Sequence, residues 1–350
     1  MPGTVLPPFP DDVPTVPLLI IDFELVKQGD AQEIDRLWKA ATELGFWYLK
    51  NHGAEAEVNA MFDLSREAMA LPLDEKMKFE QGDDGVSFGY KMKGGYATDE
   101  TGAPDNAEFL NIAQDDTLAY PAVVHRTYPA PVGARMDSAV RPFALKAIEV
   151  SNVLLGALNA RLGLPEGTLA AAHKLEEHSG SETRCIRNPK NQVVTSDKVA
   201  LGAHTDFGSL SFLHNRLGGL QVFPPGVEEW KYVKPIPGHA VCNLGDAMTI
   251  FSGGILRSNL HRVVPPPKEQ GTLDRWSLVH FTRPGYSVVL KPLDSALIAD
   301  AVVKAPEGKY ETGSTAGEWF GRRIANMRLN NRKGPETWHA SRGTEHREVY

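Results

Sequence analysis

The segment Gly202-Ala203-His204-Thr205-Asp206-Phe207-Gly208 follows the apolar run Val199-Ala200-Leu201, a pattern that predicts the end of a buried strand. Successive side chains of a strand point to opposite faces of the sheet, so we expect His204 and Asp206 to share one face. An imidazole and a carboxylate that share a face can ligate the same ion. The segment therefore predicts part of a metal site.

A third ligand is predicted at His261, within Arg257-Ser258-Asn259-Leu260-His261-Arg262-Val263. Two histidines and one carboxylate form the facial set that leaves coordination positions open on iron(II). A single histidine in an apolar stretch is more often a structural core residue than a ligand. The three residues in conjunction favour metal binding over that alternative.

The tripeptide Arg275-Trp276-Ser277 begins fourteen residues after His261, and strand alternation places Arg275 and Ser277 on one face. A guanidinium binds a carboxylate through two parallel hydrogen bonds, and a hydroxyl can add another. The alternative for Arg275 is a surface ion pair with its neighbour Asp274. The position after His261 favours a carboxylate-binding site.

Short apolar runs bounded by glycine, proline and asparagine succeed one another from about Arg184 onward. Their regular spacing predicts an antiparallel sandwich or barrel, of which the jelly roll is one form. Helical patterns come before them, so the predicted fold class is α+β. The predicted strands cover residues 210–213, 221–223, 230–233, 240–244, 277–281 and 287–290.

Helical periodicity dominates the first half of the chain. Asp30 is the predicted N-cap of the first long helix, and Gly45 is its predicted stop. Residues 82–104 are rich in glycine and aromatic residues without any period, which predicts a functional loop such as a lid. Apolar residues recur at helical spacing in residues 34–44, 58–69, 139–162 and 315–329, and short strands are predicted at residues 18–22 and 46–49.

The chain resembles the isopenicillin N synthase-like family of iron(II)/2-oxoglutarate dioxygenases in motifs that keep the family's order and spacing. The resemblance covers most of the chain, and the C-terminal motifs are similar to those of fungal members. The motifs are residues 17–23, 45–53, 202–208, 218–222, 243–246, 258–263 and 275–277 with Phe281, and the C-terminal ones are residues 317–319 and 341–345.

The resemblance implies a distorted double-stranded β-helix, the cupin-like jelly roll, with flanking helices. One integrated unit would then comprise a mainly helical region at residues 1–180, the catalytic jelly roll at residues 181–310 and a C-terminal helix and tail at residues 311–350.

The resemblance also implies the cofactors and the reaction. Fe(2+) would be held by His204, Asp206 and His261, and the co-substrate 2-oxoglutarate by Arg275 and Ser277. Oxidation by O2 would convert 2-oxoglutarate to succinate and CO2, while a small-molecule substrate is hydroxylated, desaturated or cyclised. Two alternatives stay open, namely an iron oxidase of the same fold that needs no 2-oxoglutarate and a non-catalytic barrel that only binds a ligand.

One position departs from the family pattern. Many relatives carry a tyrosine before the proline that precedes the metal motif, where it helps to bind the co-substrate, and this chain has Arg187-Asn188-Pro189. The amide of Asn188 can still donate a hydrogen bond. Arg187 is predicted to supply an extra cation to the co-substrate or to the substrate.

Further pocket residues are predicted, each with a purely structural role as the alternative. Asn243, on a predicted strand, either contacts the bound co-substrate or satisfies backbone groups. Asp246 is predicted only to close a turn, and the other histidines, which show no ligand spacing, are predicted to be structural or solvated. The substrate pocket, whose aromatic members could equally be plain core, is predicted to include Phe88, Tyr90, Asn111, Leu220, Val222 and Phe281.

Composition excludes several other classes of protein. The 350 residues include 42% hydrophobic and 23% charged residues, which is typical of globular proteins, and the net charge of -7 disfavours a nucleic-acid partner. Only two cysteines occur, which favours a reducing compartment, and we expect a cytoplasmic location. No signal peptide is expected at residues 1–14, and no apolar stretch of about twenty residues predicts a membrane span.

Overall fold

A computed structural model describes residues 6–190 and 199–344. Residues 1–5, part of the segment predicted to lack a signal peptide, and Glu345 of the last C-terminal motif lie outside this range. The strands, in chain order, are β1 Ile20–Asp22, β2 Phe46–Lys50, β3 Gly89–Lys91, β4 Glu108–Ala113, β5 Glu182–Asn188, β6 Leu201–His204, β7 Leu210–Asn215, β8 Leu220–Val222, β9 Lys231–Tyr232, β10 Ala240–Leu244, β11 His261–Val263 and β12 Arg275–Thr282.

Helices precede and follow the strand-rich part of the chain. A π-helical turn, Met136–Val140, leads into the longest one. They are α1 Phe23–Lys27, α2 Ala31–Glu43, α3 Glu55–Met69, α4 Leu73–Met77, α5 Gln114–Ala119, α6 Ala130–Ala134, α7 Arg141–Arg161, α8 Thr168–Ala171, α9 Asp246–Phe251, α10 Ala296–Lys304, α11 Ala316–Met327 and α12 Pro335–Ala340.

The ends of α2 and the start of α11 follow from single residues. Asp30 caps α2 by accepting a hydrogen bond from the backbone N–H of Glu33, as its sequence position predicted. Gly45 ends that helix with φ +75°, and a Cβ there would lie 2.0 Å from the carbonyl oxygen of Arg257. Thr315 and Glu318 form a capping box at the start of α11.

Two sheets carry the fold. The larger has eight strands in the order β1-β2-β10-β7-β12-β5-β4-β3, and the smaller has four in the order β6-β11-β8-β9. Neighbouring strands are antiparallel except β1 and β2. Side chains from both sheets line one cavity, so the sheets face each other across it. The first four strands, from the helical half of the chain, belong to the larger sheet.

The main core lies where α3 and α7 contact β5, β7 and β12 of the larger sheet. By length and apolar composition, Met136–Arg161 could cross a membrane, but half of its most apolar window is buried inside the protein. Phe143, Leu154 and Leu158 are among the buried residues of this helix. The same apolar surface that satisfies the composition test is therefore part of a protein core.

Two segments differ from the prediction. Residues 287–290 do not form a strand and make only an isolated bridge, between Val289 and Thr315. The tail predicted after the C-terminal helix contains the short helix α12, because Pro335 suits a first helical turn and Thr337 bonds back to Gly334.

Candidate active site

His204, Asp206 and His261 converge at the smaller sheet. His204 is the last residue of β6, His261 is the first of β11, and the two lie directly opposite each other. Oδ1 of Asp206 lies 3.8 Å from Nε2 of His204 and 3.6 Å from Nε2 of His261. All three residues are buried. The three predicted ligands therefore offer one oxygen and two nitrogens to a common point.

The backbone fixes which imidazole nitrogen faces that point. Nδ1 of His204 lies 2.8 Å from the carbonyl oxygen of Gly202, and Nδ1 of His261 lies 3.1 Å from that of Asn259. A carbonyl only accepts, so Nδ1 donates and Nε2 keeps its lone pair. Burial, followed by the nearby His261, lowers the pKa of His204 to about 3, which keeps it neutral. This donor set fits a divalent transition metal.

Asp206 is oriented by two side chains of the larger sheet. Its Oδ2 accepts hydrogen bonds from Oγ of Ser211 at 2.5 Å and Nδ2 of Asn243 at 2.7 Å, which leaves Oδ1 for a metal. Burial raises its pKa, but the neighbouring His261 and His204 and these donors hold it down, to about 2. Asn243, predicted to contact the co-substrate or the backbone, positions this carboxylate and also lines the cavity, so contact with the co-substrate stays a prediction.

The C-terminal part of the chain supports this strand end from behind. Buried Arg323 of α11 donates from Nη2 to the carbonyl of Thr205 at 3.1 Å and from Nε to that of Ser341 at 3.0 Å, and its Nη1 pairs with Asp246. The backbone N–H of Asp246 donates to the carbonyl of Asp206 at 2.8 Å. The prediction that Asp246 only closes a turn was wrong, because its buried carboxylate is ion-paired.

Comparison with known proteins identifies the family. Residues 177–284 match the 2OG-Fe(II) oxygenase superfamily, and residues 18–131 match the non-haem dioxygenase N-terminal domain described from morphine synthesis. A 2-oxoglutarate-dependent dioxygenase of Aspergillus fumigatus is 30% identical over 341 residues, which cover 89% of this chain and 86% of that protein. The chain belongs to the 2OG-Fe(II) oxygenase superfamily. It is a non-haem iron(II)/2-oxoglutarate dioxygenase, and the family uses Fe(2+), 2-oxoglutarate and O2.

Solved structures give the same fold. A full-length protein of Neurospora crassa, solved in complex with alpha-KG, superposes with a TM-score of 0.71 at 22% identity, covering 92% of this chain and 100% of that one. JOX2 in complex with 2OG, Fe and JA superposes with a TM-score of 0.68 at 20% identity, covering 95% of this chain and 92% of that one.

A second fungal relative, from Dothideomycetidae sp., is a 2-oxoglutarate-dependent dioxygenase with 31% identity over 268 residues, 75% of this chain and 80% of that protein.

The predicted carboxylate-binding residues of the dioxygenase line the same cavity as the three metal-ligand candidates. Arg275 donates from Nε to the carbonyl of Gly218 at 2.7 Å and from Nη1 to Oγ of Ser277 at 2.6 Å. Within residues 6–190 and 199–344 no carboxylate pairs with it, and burial lowers its pKa to about 10. Asp274, the partner in the surface alternative, pairs with Arg187 instead.

Asn188 lies opposite Arg275 in the β5–β12 register and also lines the cavity. It is 6% exposed, and neither Nδ2 nor Oδ1 has a hydrogen-bond partner among the residues that the structure describes. A buried amide without partners costs free energy unless a ligand supplies them. The residue that replaces the family tyrosine is therefore available to a ligand beside Arg275.

Leu220 and Phe281 line the cavity as predicted, and five other predicted pocket residues do not. Tyr90 and Arg187 bind Glu108. Phe88 packs against His125 in a tilted arrangement with ring centroids 4.8 Å apart, and Val222 packs in a small apolar cluster with Val16 and Phe46. Asn111 bonds Ser87 and Arg184.

The segment predicted as a functional loop, residues 82–104, also contributes no side chain to the cavity wall. Phe88, Tyr90 and Tyr96 within it are buried, and no residue of the segment lines the cavity. These aromatic side chains therefore belong to the packed interior, whereas Ala97 and Thr98 lie against the metal motif near Gly202, so a functional role of the segment stays a prediction.

Several cavity residues were missed by the sequence reasoning. Arg184 and Ile186 alternate with Asn188 on β5, so the strand period that placed Asn188 inside also predicts them. Phe109 and Phe46 lie on β4 and β2 of the helical half, where nothing in the sequence indicated proximity to the metal motif.

A second histidine cluster also formed without a sequence signal. Asp115 accepts hydrogen bonds from His125 at 2.8 Å and from His178 at 3.2 Å, outside the cavity. His178 is largely exposed, and the three ligand atoms lie within 4.8 Å of one another. The spacing of these residues along the chain did not predict that they meet.

Proposed function

We propose that His204, Asp206 and His261 hold iron(II) in this dioxygenase, and that Arg275, Ser277 and Asn188 hold 2-oxoglutarate. A small-molecule substrate would be oxidised in the cavity between the two sheets. We also propose that these sheets form the distorted double-stranded β-helix of the family.

One observation carries the assignment of the co-substrate site. A buried guanidinium without an anionic partner among the described residues lies in the same cavity as the three convergent metal-ligand candidates. A buried charge is stable only when it is paired, so the cavity favours a ligand that carries a carboxylate. Ser277 accepts from Arg275 and keeps its own hydroxyl proton for such a ligand.

When held by these residues, iron(II) and 2-oxoglutarate would supply the activation of O2, with succinate and CO2 as products of the co-substrate. The chain's own residues position the reactants. Ser211 and Asn243 hold Asp206 in one orientation, and the carbonyls of Gly202 and Asn259 hold the two imidazoles. Apolar walls that include Ile186, Leu213 and Val279 exclude water from the reaction.

The substrate is proposed to be a small organic molecule of specialised metabolism, which is hydroxylated, desaturated or cyclised. Structures of the Neurospora crassa protein with thymine and of JOX2 with JA support a small-molecule substrate. A cytoplasmic location, no nucleic-acid or membrane partner, and the division into residues 1–180, 181–310 and 311–350 remain parts of this proposal.

The test is anaerobic addition of iron(II) and 2-oxoglutarate to the purified protein. A visible charge-transfer band is expected in the wild type and should be absent in His204→Ala. His173→Ala is the matched control, because His173 is a half-buried histidine that does not line the cavity. A band that survives in His204→Ala, or that disappears equally in the control, contradicts the assignment.

The alternative of a 2-oxoglutarate-independent oxidase, in which Arg275 would bind a carboxylate of the substrate itself, is disfavoured by the family to which the chain belongs. Succinate release in the presence of O2 tests this choice, since only the 2-oxoglutarate-dependent reaction produces it.

A further inference from the structure

Arg184 is a second guanidinium in the cavity, and the proposed function gives it no role. It lies on β5, lines the cavity and is 9% exposed. Nε donates to Oδ1 of Asn111 at 2.8 Å, and Nη2 donates to Oε1 of Glu182 at 2.8 Å. No described residue accepts a hydrogen bond from Nη1. Arg184 is thus held in place while one edge of its guanidinium stays available.

The charges in direct ionic contact within the Arg184 cluster do not cancel. Glu182 is fully buried and its Oε1 accepts from two guanidiniums, those of Arg184 and Arg283. Lys91 and Asp105 form a separate buried pair that is neutral overall. The cluster of Glu182, Arg184 and Arg283 therefore carries one excess positive charge in a buried place, which is costly without an anion.

The proposed iron(II) and 2-oxoglutarate do not supply that anion. Iron(II), the carboxylate of Asp206, the guanidinium of Arg275 and the 2-oxoglutarate dianion are neutral as a set. The excess charge of the Arg184 cluster thus remains after both cofactors have bound.

Arg184 also lies away from the co-substrate site. It pairs with Val279 on β12, four residues along that strand from Arg275, which corresponds to about 13 Å. Hydrogen bonds also hold the two guanidiniums apart. Arg275 is bonded to Gly218, whereas Arg184 is bonded to Asn111 and Glu182. One 2-oxoglutarate molecule on Arg275 therefore leaves Arg184 for another ligand.

Aromatic rings surround Arg184. Its guanidinium carbon lies 4.3 Å from the ring centroid of Phe109 and 4.9 Å from that of Phe281. Both rings line the cavity, and Phe281 shares a cross-strand row with Ser211, which holds Asp206. An apolar surface thus extends from the cation to the proposed metal site.

We propose that the substrate of the dioxygenase is an apolar monocarboxylate, whose carboxylate binds Arg184 and whose body packs against Phe109 and Phe281. This rests on the proposed function, because the substrate must reach the iron site. Arg184 then determines specificity, since a guanidinium favours a carboxylate over a neutral ester or amide.

The test uses matched acids and esters as probes. Phenylacetate, 3-phenylpropanoate and octanoate, each beside its methyl ester, are titrated by calorimetry into protein loaded anaerobically with iron(II) and 2-oxoglutarate. The wild type should bind at least one acid about tenfold more tightly than its ester. In Arg184→Gln this preference should disappear, and Arg184→Lys should restore part of it.

Arg187→Gln is the matched control. Arg187 lies on the same strand but outside the cavity, so its removal should leave the preference for acids unchanged. Arg184→Gln should fold, because Glu182 keeps Arg283 and Ser87 as partners.

The charge-transfer band distinguishes the two proposals. If Arg184→Gln keeps the band and loses the acid preference, the inference holds. Equal binding of acids and esters by the wild type, absence of binding by every acid, or an unchanged preference in Arg184→Gln would overturn it. Absence of the band in the wild type would instead refute the proposed function.

Discussion

Replacing Arg275 with methionine is expected to stabilise the protein without 2-oxoglutarate and to abolish its stabilisation by 2-oxoglutarate. Burial lowers the pKa of Arg275 from 12.5 to about 10. A folded pKa below the unfolded value for a base means that the charged form is disfavoured in the folded state. This penalty is fully present below pH 10 and fades only as the pH rises from 10 to 12.5.

Two contributions to the change in the free energy of unfolding of Arg275→Met have opposite signs. The shift in pKa corresponds to ~3 kcal/mol of unfavourable burial that methionine removes. Methionine also loses the hydrogen bonds to Gly218 and Ser277, at about 1 kcal/mol each. The free energy of unfolding should therefore rise by about 1 kcal/mol, or about 1 °C in Tm.

Ligand binding should reverse the order of stability. At a 2-oxoglutarate concentration one hundred times Kd, the wild type gains about 2.7 kcal/mol and the variant gains almost nothing. Thermal unfolding of the Mn(II)-loaded proteins, with and without 2-oxoglutarate, measures both differences. Arg216→Met, at an exposed arginine outside the cavity, is the control for the swap itself. The reasoning fails if Arg275→Met is less stable without 2-oxoglutarate or is still stabilised by it.

Three further predictions concern the surroundings of the site. Asn243→Ala combined with Ser211→Ala should weaken Mn(II) affinity roughly 10–100-fold, because Asp206 loses both donors that orient it; an unchanged affinity in a metal titration would contradict this. Arg323→Leu should lower the free energy of unfolding, measured by urea denaturation, by about 3–5 kcal/mol, since the buried Asp246 loses its ion pair with Arg323. Burial lowers the pKa of His173 to about 4, so the unfolded chain binds a proton more readily than the folded protein between pH 6.5 and 4. The free energy of unfolding should therefore fall by up to ~1.4 kcal/mol for each pH unit over this range. Urea titrations at pH 7 and pH 5 should show a smaller fall for His173→Gln than for the wild type.

Strand alternation predicted the part of the site that lies on a single element. Arg275 and Ser277 share a wall of the cavity, because a period of two fixes the face of every residue on a strand. His204 and Asp206 also face one point, although Asp206 lies two residues beyond the end of β6. The helix ends at Asp30, Gly45 and Thr315 were also predictable, since capping depends on residues close in sequence.

Contacts between distant elements were not predictable in this way. Phe88 and Tyr90 were placed in the pocket because aromatic residues in an irregular segment suggest a binding loop, but they are buried away from the cavity. The pairing of β4 with β5 brings Phe109 beside Ile186, and no local pattern encodes that register. The role of Asp246 depends on Arg323, which lies far along the chain on α11.

The contacts that Arg323 makes with Thr205, Ser341 and Asp246 have a consequence for how the protein is made. A nascent chain that has emerged as far as His261 already contains every proposed iron ligand, yet the groups that clamp the backbone at Thr205 are still to be synthesised. Firm capture of iron should therefore be an event of the finished polypeptide, after release from the ribosome.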